Sequence, residues 1–148
     1  MEEYRSKRDP GKTTEPFDDE VDLPRPVYAI QEHHASHLHW DLRLEFNGVL
    51  KSWALPKEPP SDAGVKRLAV ETEDHPLAYA TFEGTIPKGE YGGGEVRIWD
   101  MGTFEALEEG RGKYVLDLRG EKLKGGYVLL QTRMGGNPRN WLFFKKKG

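Results

Sequence analysis

The sequence contains no cysteine, which excludes disulfide scaffolds, thiol nucleophiles and metal centres with thiolate ligands. It also lacks an apolar run of about 18 residues, the length that a membrane-spanning helix needs. The polar start over residues 1–9 is not followed by the apolar segment of a signal peptide. We therefore expect a cytoplasmic protein without membrane contact, in which any metal must be held by nitrogen and oxygen atoms.

An excess of positive charge is also missing. The chain has 22 basic and 25 acidic residues, and its net charge is −3. A protein that coats nucleic acid by bulk electrostatics needs a clear basic excess, so any contact with nucleic acid must be local. A chain of 148 residues is long enough for one domain with a hydrophobic core.

Helix-forming stretches are scarce, and short runs of β-branched and aromatic residues alternate with glycine, proline and asparagine from residue 27 onward. This pattern is typical of an all-β protein, and we predict a closed or partly open β-barrel with little helix. Residues 104–109 alone offer a few helix formers, which Gly110 and Gly112 would end. The charged residues 1–24 predict a flexible arm that precedes a barrel domain over residues 25–148. Strands are predicted at residues 27–32, 38–46, 49–55, 67–71, 79–82, 95–100, 113–119, 127–133 and 141–145.

Residues 38–46 alternate strictly between apolar and polar side chains. A strand would therefore direct the even-numbered apolar residues to the core and the odd-numbered polar residues to the other face. Asn47-Gly48 predicts a type I′ turn, so the next strand should return antiparallel. In that register Phe46 pairs with Val49, and Trp40 pairs with Leu55.

Four of the five histidines lie within residues 33–39, and two of them, with an aspartate, suggest a metal site. His39 and Asp41 share one face of the predicted strand, and imidazole and carboxylate groups are common ligands of divalent ions. His33 ends the preceding strand with the same parity and could fold over to complete the site. The alternative is a solvated strand face, and the roles of His34 and His37 are left open.

Three further side chains could act beside such a metal. Arg43 follows Asp41 on the same face, and its guanidinium matches two oxygens of a phosphate or carboxylate, although it could instead pair with Glu45 or Asp41. His75 precedes a proline that favours extended backbone, and Tyr79 follows at the start of a predicted strand. A capping or packing role for His75 is the alternative.

Two other classes of protein fit part of this pattern. A non-haem iron(II) oxygenase would use His39, Asp41 and His75 as its ligands on an all-β barrel. A non-enzymatic β-barrel that binds nucleic acid would leave the histidines without a role, and it would bind without added metal.

Two long segments carry a resemblance to a known family: QEHHASHLHWDLRLEFNGVLKSWALPK and EDHPLAYATFEGTIPKGEYGGGEVRIWDMGTF. They resemble the 3′-phosphoesterase family, whose domains occur in bacterial DNA ligase D and as free-standing bacterial and archaeal proteins. The resemblance implies a β-barrel enzyme that depends on manganese and acts in break repair by end joining. Its expected substrate is a DNA primer-template, from which it removes a 3′-terminal ribonucleoside to leave a 3′-phosphate, and then the phosphate to leave a 3′-OH.

The resemblance extends from about Arg8 to Asn140-Trp141 and implies roles for individual residues. The implied metal ligands are His33, His39 and Asp41, and the residues that would hold the scissile phosphate are Arg43 and His75. The pocket would be completed by Gln31, Lys57, Arg67 and Tyr79. From the arm, three residues would reach the active site: Arg8, Asp9 and Glu15. We expect a monomer, either free-standing or an excised domain, that works with an end-joining ligase or polymerase.

Overall fold

The computed structural model of the chain describes residues 23–86 and 94–147. The strands in these ranges are β1 (Val27–His34), β2 (Leu38–Phe46), β3 (Val49–Leu55), β4 (Lys66–Pro76), β5 (Gly84–Ile86), β6 (Gly94–Gly110), β7 (Lys113–Arg119), β8 (Lys124–Gln131) and β9 (Asn140–Lys145). Two short 3-10 helices, Leu77–Thr81 and Met134–Gly136, interrupt them.

Eight of these strands close into an antiparallel β-barrel. Their order is β1-β2-β3-β4-β9-β8-β7-β6, and β6 pairs back with β1. The short strand β5 adds to the start of β6. The all-β barrel predicted from the sequence is confirmed in its closed form.

The barrel interior is filled by alternate residues of its strands, as period-two geometry requires. On β2 these are Trp40, Leu42 and Leu44, each at most 8% exposed. They pack with apolar side chains from the other walls, among them Tyr28, Ile30, Trp53, Leu55, Leu116, Leu118, Leu129 and Phe143. The polar residues of β2 therefore lie on the outside of the wall, where they are free of the core.

The hairpin of β2 and β3 has the predicted register. Phe46 lies opposite Val49, and Trp40 lies opposite Leu55. Asn47 and Gly48 have φ values of 56° and 80°, as a type I′ turn requires. This register also places Lys51 opposite Leu44, and Lys51 is only half-buried there.

Two local predictions were wrong. Residues 79–82 do not form a strand, because Pro76 ends β4 and the 3-10 helix Leu77–Thr81 follows it. Residues 104–109 are not helical, because they pair along β7 within the long strand β6. Long-range pairing outweighs the weak helix propensity of that stretch. Strands β4 and β6 are also longer than predicted, and β5 was missed.

A second, smaller apolar cluster lies outside the barrel wall. Leu77 and Ala80 of the 3-10 helix Leu77–Thr81 pack there against Val27, Ala29 and Leu50. This packing holds the helix over the outer faces of β1 and β3. Two polar side chains of the neighbouring strand β2 are buried although they face away from the core: Arg43, which Tyr79 of this helix covers, is 4% exposed, and Glu45, which pairs with Arg25, is 6% exposed.

A buried carboxylate fixes the turn between β7 and β8. Asp100 accepts hydrogen bonds from the backbone N–H groups of Glu121, Lys122 and Leu123 at 2.8–2.9 Å. The hydroxyl of Tyr28 also donates to it, at 2.8 Å. All of the donors are neutral groups arranged around one anion, so they meet the hydrogen-bonding need of a carboxylate that is 3% exposed.

Candidate active site

Three potential metal ligands converge on the outer face of β1 and β2. His33 lies directly opposite His39 in the antiparallel ladder, so it reaches the site without folding over. Nδ1 of His33 is 3.2 Å from Nε2 of His39 and 3.8 Å from Oδ2 of Asp41. Nε2 of His39 is 3.2 Å from Oδ1 of Asp41. The predicted triad of side chains is thus brought together by adjacent strands.

These separations suit a single divalent ion. Atoms that bind one ion at about 2.1 Å lie roughly 3.0–3.4 Å from one another. One ligand atom from each of His33, His39 and Asp41 lies within 4.8 Å of the others. The donor set of two imidazole nitrogens and one carboxylate oxygen is one that manganese, iron and zinc accept. His34 and His37 lie outside this group; His34 contacts Glu32 instead.

The electrostatics of the triad favour an ionised carboxylate. Burial acts to raise the pKa of Asp41, but the neighbouring imidazoles of His33 and His39, with the charge of Arg43, hold it well below its usual range. The hydrogen bond to Asp41 raises the pKa of His39, against the effect of burial. A metal ion would compete with a proton for the nitrogen of His39.

Arg43 lies beside the triad, and its guanidinium is almost completely enclosed. Nε donates to Oε1 of Gln31 at 2.6 Å, and Nη1 donates to Oγ of Ser52 at 2.7 Å. Nη2 is 3.6 Å from Asp41, so the ion pair forms with Asp41, whereas Glu45 pairs with Arg25. Burial lowers the pKa of Arg43, with Asp41 acting in the opposite direction. An arginine nevertheless stays protonated in proteins.

His75 reaches the same face because of an irregularity in β4. Leu50 lies opposite His75 while Ser52 lies opposite Thr72, so β4 carries one extra residue between these pairs. Without that bulge, alternation would turn His75 into the barrel. Burial and the charge of Arg43 lower the pKa of His75, so its ring is neutral at pH 7.

The hydrogen bonds of His75 constrain its tautomer. Nδ1 lies 3.2 Å from Nη1 of Arg43 and 3.0 Å from the backbone oxygen of Glu73. A neutral nitrogen either accepts from the guanidinium or donates to the carbonyl, and it cannot do both. The choice decides which ring nitrogen carries the proton.

Tyr79 joins this group from the 3-10 helix Leu77–Thr81. Its ring lies 4.9 Å from that of His75 and stacks on Phe82 at 5.0 Å, while Cζ of Arg43 lies 4.9 Å from the ring centroid. The amide nitrogen of Gln31 donates to the backbone oxygens of Tyr79 and Phe82 at 2.8 and 3.1 Å. Gln31 therefore links the tyrosine turn to the guanidinium.

The triad, Arg43, His75 and Tyr79 line one cavity of about 370 Å³. Its walls are formed by His33, Ala35, His39, Asp41, Arg43, Ala54, Thr72, Glu73, His75 and Tyr79. Lys57 and Arg67 are outside this lining; Arg67 donates to the backbone oxygen of Glu58 at 2.8 Å. The predicted arm residues Arg8, Asp9 and Glu15 lie outside the described part of the chain.

Comparison with protein families connects this cavity to a known class of domain. Residues 31–131 match the model of the DNA Ligase D 3′-phosphoesterase domain. The chain belongs to the DNA ligase D 3′-phosphoesterase family. The matched range contains the candidate metal ligands together with Arg43, His75 and Tyr79. Family membership makes the chain a phosphoesterase domain, which is a hydrolase.

Bacterial relatives show the same similarity over nearly the whole chain. The multifunctional non-homologous end joining protein LigD of Pseudomonas aeruginosa is 47% identical over 159 aligned positions, which cover 99% of this chain and 18% of that protein. Its Mycolicibacterium smegmatis counterpart is 45% identical over 157 positions, covering 97% and 20%. The multifunctional non-homologous end joining DNA repair protein LigD of Mycobacterium tuberculosis is 45% identical over 154 positions, covering 97% and 19%. This phosphoesterase chain thus spans about a fifth of the length of these relatives. Over residues 23–86 and 94–147, no helix has the length and hydropathy needed to cross a bilayer.

Ser52 and Glu73 contact Arg43 and His75 and were not among the residues predicted from the sequence. Ser52 is 1% exposed and lies directly opposite Arg43 in the ladder of β2 and β3. The correctly predicted hairpin register already contained this pairing, so Ser52 could have been found. The backbone oxygen of Glu73 approaches His75 because of the bulge in β4, for which the sequence carries no clear signal.

Proposed function

We propose that this domain is a manganese-dependent 3′-end-processing enzyme of DNA end joining. It removes a 3′-terminal ribonucleoside to leave a 3′-phosphate, and then removes the phosphate to leave a 3′-OH. The observation that supports this best is the convergence of His33, His39 and Asp41 beside the buried guanidinium of Arg43. A metal site next to a fixed cation is the arrangement that phosphoryl transfer needs.

The metal, held by His33, His39 and Asp41, would act as a Lewis acid on a phosphoryl oxygen and lower the pKa of a bound water. Arg43 contributes charge and orientation. Its Nη2 group binds a non-bridging oxygen and stabilises the negative charge that develops there. The acceptors on its other side are neutral, so within the described residues Asp41, 3.6 Å from Nη2, is the carboxylate that offsets part of its charge.

His75 acts on the leaving group. In the diester step, water adds to phosphorus and the bond to the 5′ oxygen of the terminal ribonucleoside breaks. When Nδ1 of His75 accepts from Arg43, the ring proton is on Nε2, which donates a hydrogen bond to that leaving oxygen, and the proton that the attacking water gives up is transferred to the same oxygen. In the monoester step the bond to the 3′ oxygen breaks in the same way. Tyr79 packs on both Arg43 and His75 and limits their movement.

The oxygenase alternative receives less support from the geometry. It requires His39, Asp41 and His75 as ligands, whereas His33 is the residue that completes the group of converging ligand atoms. Nδ1 of His75 faces a guanidinium cation, which is an unfavourable neighbour for a metal. A non-enzymatic nucleic-acid-binding barrel gives no role to the convergence of His33, His39 and Asp41 beside the enclosed Arg43.

The test uses a labelled primer-template that ends in a single 3′ ribonucleotide, incubated with and without manganese. We expect a 3′-phosphate product followed by a 3′-OH product, in the presence of metal only. His33→Ala, His39→Ala and Asp41→Ala should lose both turnover and manganese binding, measured by electron paramagnetic resonance.

His34→Ala and His37→Ala are matched controls, because they remove exposed imidazoles from the same segment, outside the ligand group. Both should bind manganese and turn over like the wild type. Turnover without metal, or turnover that needs a 2-oxoacid, contradicts the proposal. DNA binding without any turnover favours the non-enzymatic alternative.

A further inference from the structure

The guanidinium of Arg43 is anchored on one side by two uncharged oxygens. Oε1 of Gln31 accepts from Nε at 2.6 Å, and Oγ of Ser52 accepts from Nη1 at 2.7 Å. Both acceptors are enclosed: Gln31 is 0% and Ser52 is 1% exposed.

The hydroxyl of Ser52 is oriented as an acceptor for this contact. It lies within 3.3 Å of the backbone oxygen of Leu50, to which it donates its own proton. Its lone pairs are then left for Nη1 of Arg43. The cross-strand pairing of the two residues fixes their separation through the backbone, so the contact needs no flexible linker.

Anchoring Nε and Nη1 determines where the remaining donors point. A guanidinium is planar, so fixing two of its nitrogens fixes the third. Within residues 23–86 and 94–147, the polar contact that remains to Nη2 is Asp41 at 3.6 Å, beyond hydrogen-bonding distance, and Arg43 lines the cavity. Nη2 is therefore the edge that a phosphoryl oxygen can reach.

We propose that Ser52 is a positioning residue, which holds Nη1 of Arg43 so that Nη2 faces a phosphate bound in the cavity. A neutral hydroxyl suits this task because it orients the cation without neutralising it. A carboxylate at the same position would orient Arg43 equally well and would weaken its attraction for phosphate. This inference rests on the proposed function for its substrate, although not for the hydrogen bond itself.

The first measurement is kinetic. Ser52→Ala should lower kcat/KM for a 3′-phosphorylated primer-template by about 10- to 100-fold, the effect of leaving one buried charged donor without its partner. Ser52→Thr keeps the hydroxyl and should recover most of that loss. Ser61→Ala makes the same chemical change at an exposed loop position and should match the wild type. Manganese binding and Tm, measured on each variant, should be close to wild type in Ser52→Ala.

The second measurement does not depend on activity. In arginine-labelled protein, NMR signals of the Arg43 side chain, assigned by their loss in Arg43→Lys, report whether rotation about its Cζ–Nη bonds is hindered. We expect separate Nη signals in the wild type and in Ser52→Thr, and averaged signals in Ser52→Ala. The metal-free protein is suitable for this experiment.

The outcomes separate the two proposals. If the wild type does not process 3′ ends while the Nη signals change as expected, the proposed function fails and the anchoring role of Ser52 stands. If the wild type is active and Ser52→Ala equals it in kcat/KM or in its Nη signals, the positioning role is wrong. If Ser52→Ala loses manganese binding, or if its lower activity is accompanied by a markedly lower Tm, Ser52 is a structural residue and the proposal is overturned.

Discussion

Gln31 and Arg43 are joined by a hydrogen bond of 2.6 Å from Nε to Oε1, formed across adjacent strands on the outside of the barrel. The amide nitrogen of the same glutamine donates to two backbone oxygens, those of Tyr79 and Phe82. The buried amide of Gln31 thus accepts a hydrogen bond from the guanidinium through its oxygen and donates to the 3-10 helix region through its nitrogen. Neither a carboxylate nor an apolar group can do both.

Gln31→Glu should therefore be damaging although it is nearly isosteric. The carboxylate still accepts from Arg43, but it neutralises the guanidinium and faces two carbonyl oxygens. We expect a loss of about 1–3 kcal/mol in the free energy of unfolding, measured by urea denaturation, and at least about a 10-fold loss of turnover. Gln131→Glu is the matched control, because it removes a single hydrogen bond to the Pro138 oxygen outside the cavity. Equal effects of the two substitutions would contradict this interpretation.

His75 should make the metal-free protein less stable in acid. Its folded pKa is lowered, so below about pH 6.5 the unfolded chain binds a proton that the folded chain does not. Stability is then lost as pH falls from about 6.5 through the folded pKa. His75→Gln should show a smaller loss over this window in urea denaturation with EDTA present. A pH slope equal to that of the wild type would exclude a buried, neutral His75.

His39 should behave in the opposite direction. Its folded pKa is raised, so its contribution to stability is complete below about pH 6.5 and is lost as pH rises through the folded pKa. The difference in unfolding free energy between wild type and His39→Gln, without metal, should therefore be larger at pH 5.5 than at pH 8.5. A difference that grows with pH would show that the ion pair with Asp41 does not form.

Gly120 is required because there is no space for a side chain beside Asp100. A Cβ at this position would lie 2.6 Å from Cε2 of Tyr28 and would collide with Oδ2 of Asp100. We expect Gly120→Ala to cost about 1–3 kcal/mol by overpacking. Gly110→Ala is the control, because the nearest atom to a Cβ there is 3.9 Å away. Thermal unfolding of both variants tests this prediction. Equal Tm values would contradict it.

The arm supplies a further prediction, which rests on the family resemblance. Deleting residues 1–16 removes Arg8, Asp9 and Glu15, and we expect slower 3′-end processing by a protein whose barrel still unfolds cooperatively. The triple variant Arg8→Ala, Asp9→Ala, Glu15→Ala should reproduce the defect. Unchanged rates in both would leave the arm without a catalytic role.

The parts of the fold that follow from local periodicity could be predicted from the sequence. The alternation of residues 38–46 and the Asn47-Gly48 turn determine the hairpin register, and with it the outward position of Asp41 and Arg43. The alternation of side chains along a strand also predicted that His33, an odd-numbered residue, lies on the same face. Its position directly opposite His39 depends on the register between β1 and β2, which no turn motif specifies.

The features that could not be predicted depend on long-range structure. The face on which His75 lies follows from one extra residue in β4, and residues 104–109 extend β6 because β7 offers them a partner. Arg43 is buried because a separate helix packs over the outside of the wall. Each of these results from contacts between segments that are distant in the chain, and single-sequence patterns do not contain them.

Strand β2 supplies core side chains on one face and cavity side chains on the other, and this restricts changes in its length. Inserting or deleting one residue in the middle of β2 would exchange the inward and outward positions beyond that point, so core side chains and the side chains that line the cavity would be displaced together. A one-residue change in β2 would need a bulge like the one in β4 to keep both sets of side chains in place. The connection over residues 35–37 can change in length without altering the alternation of the strand.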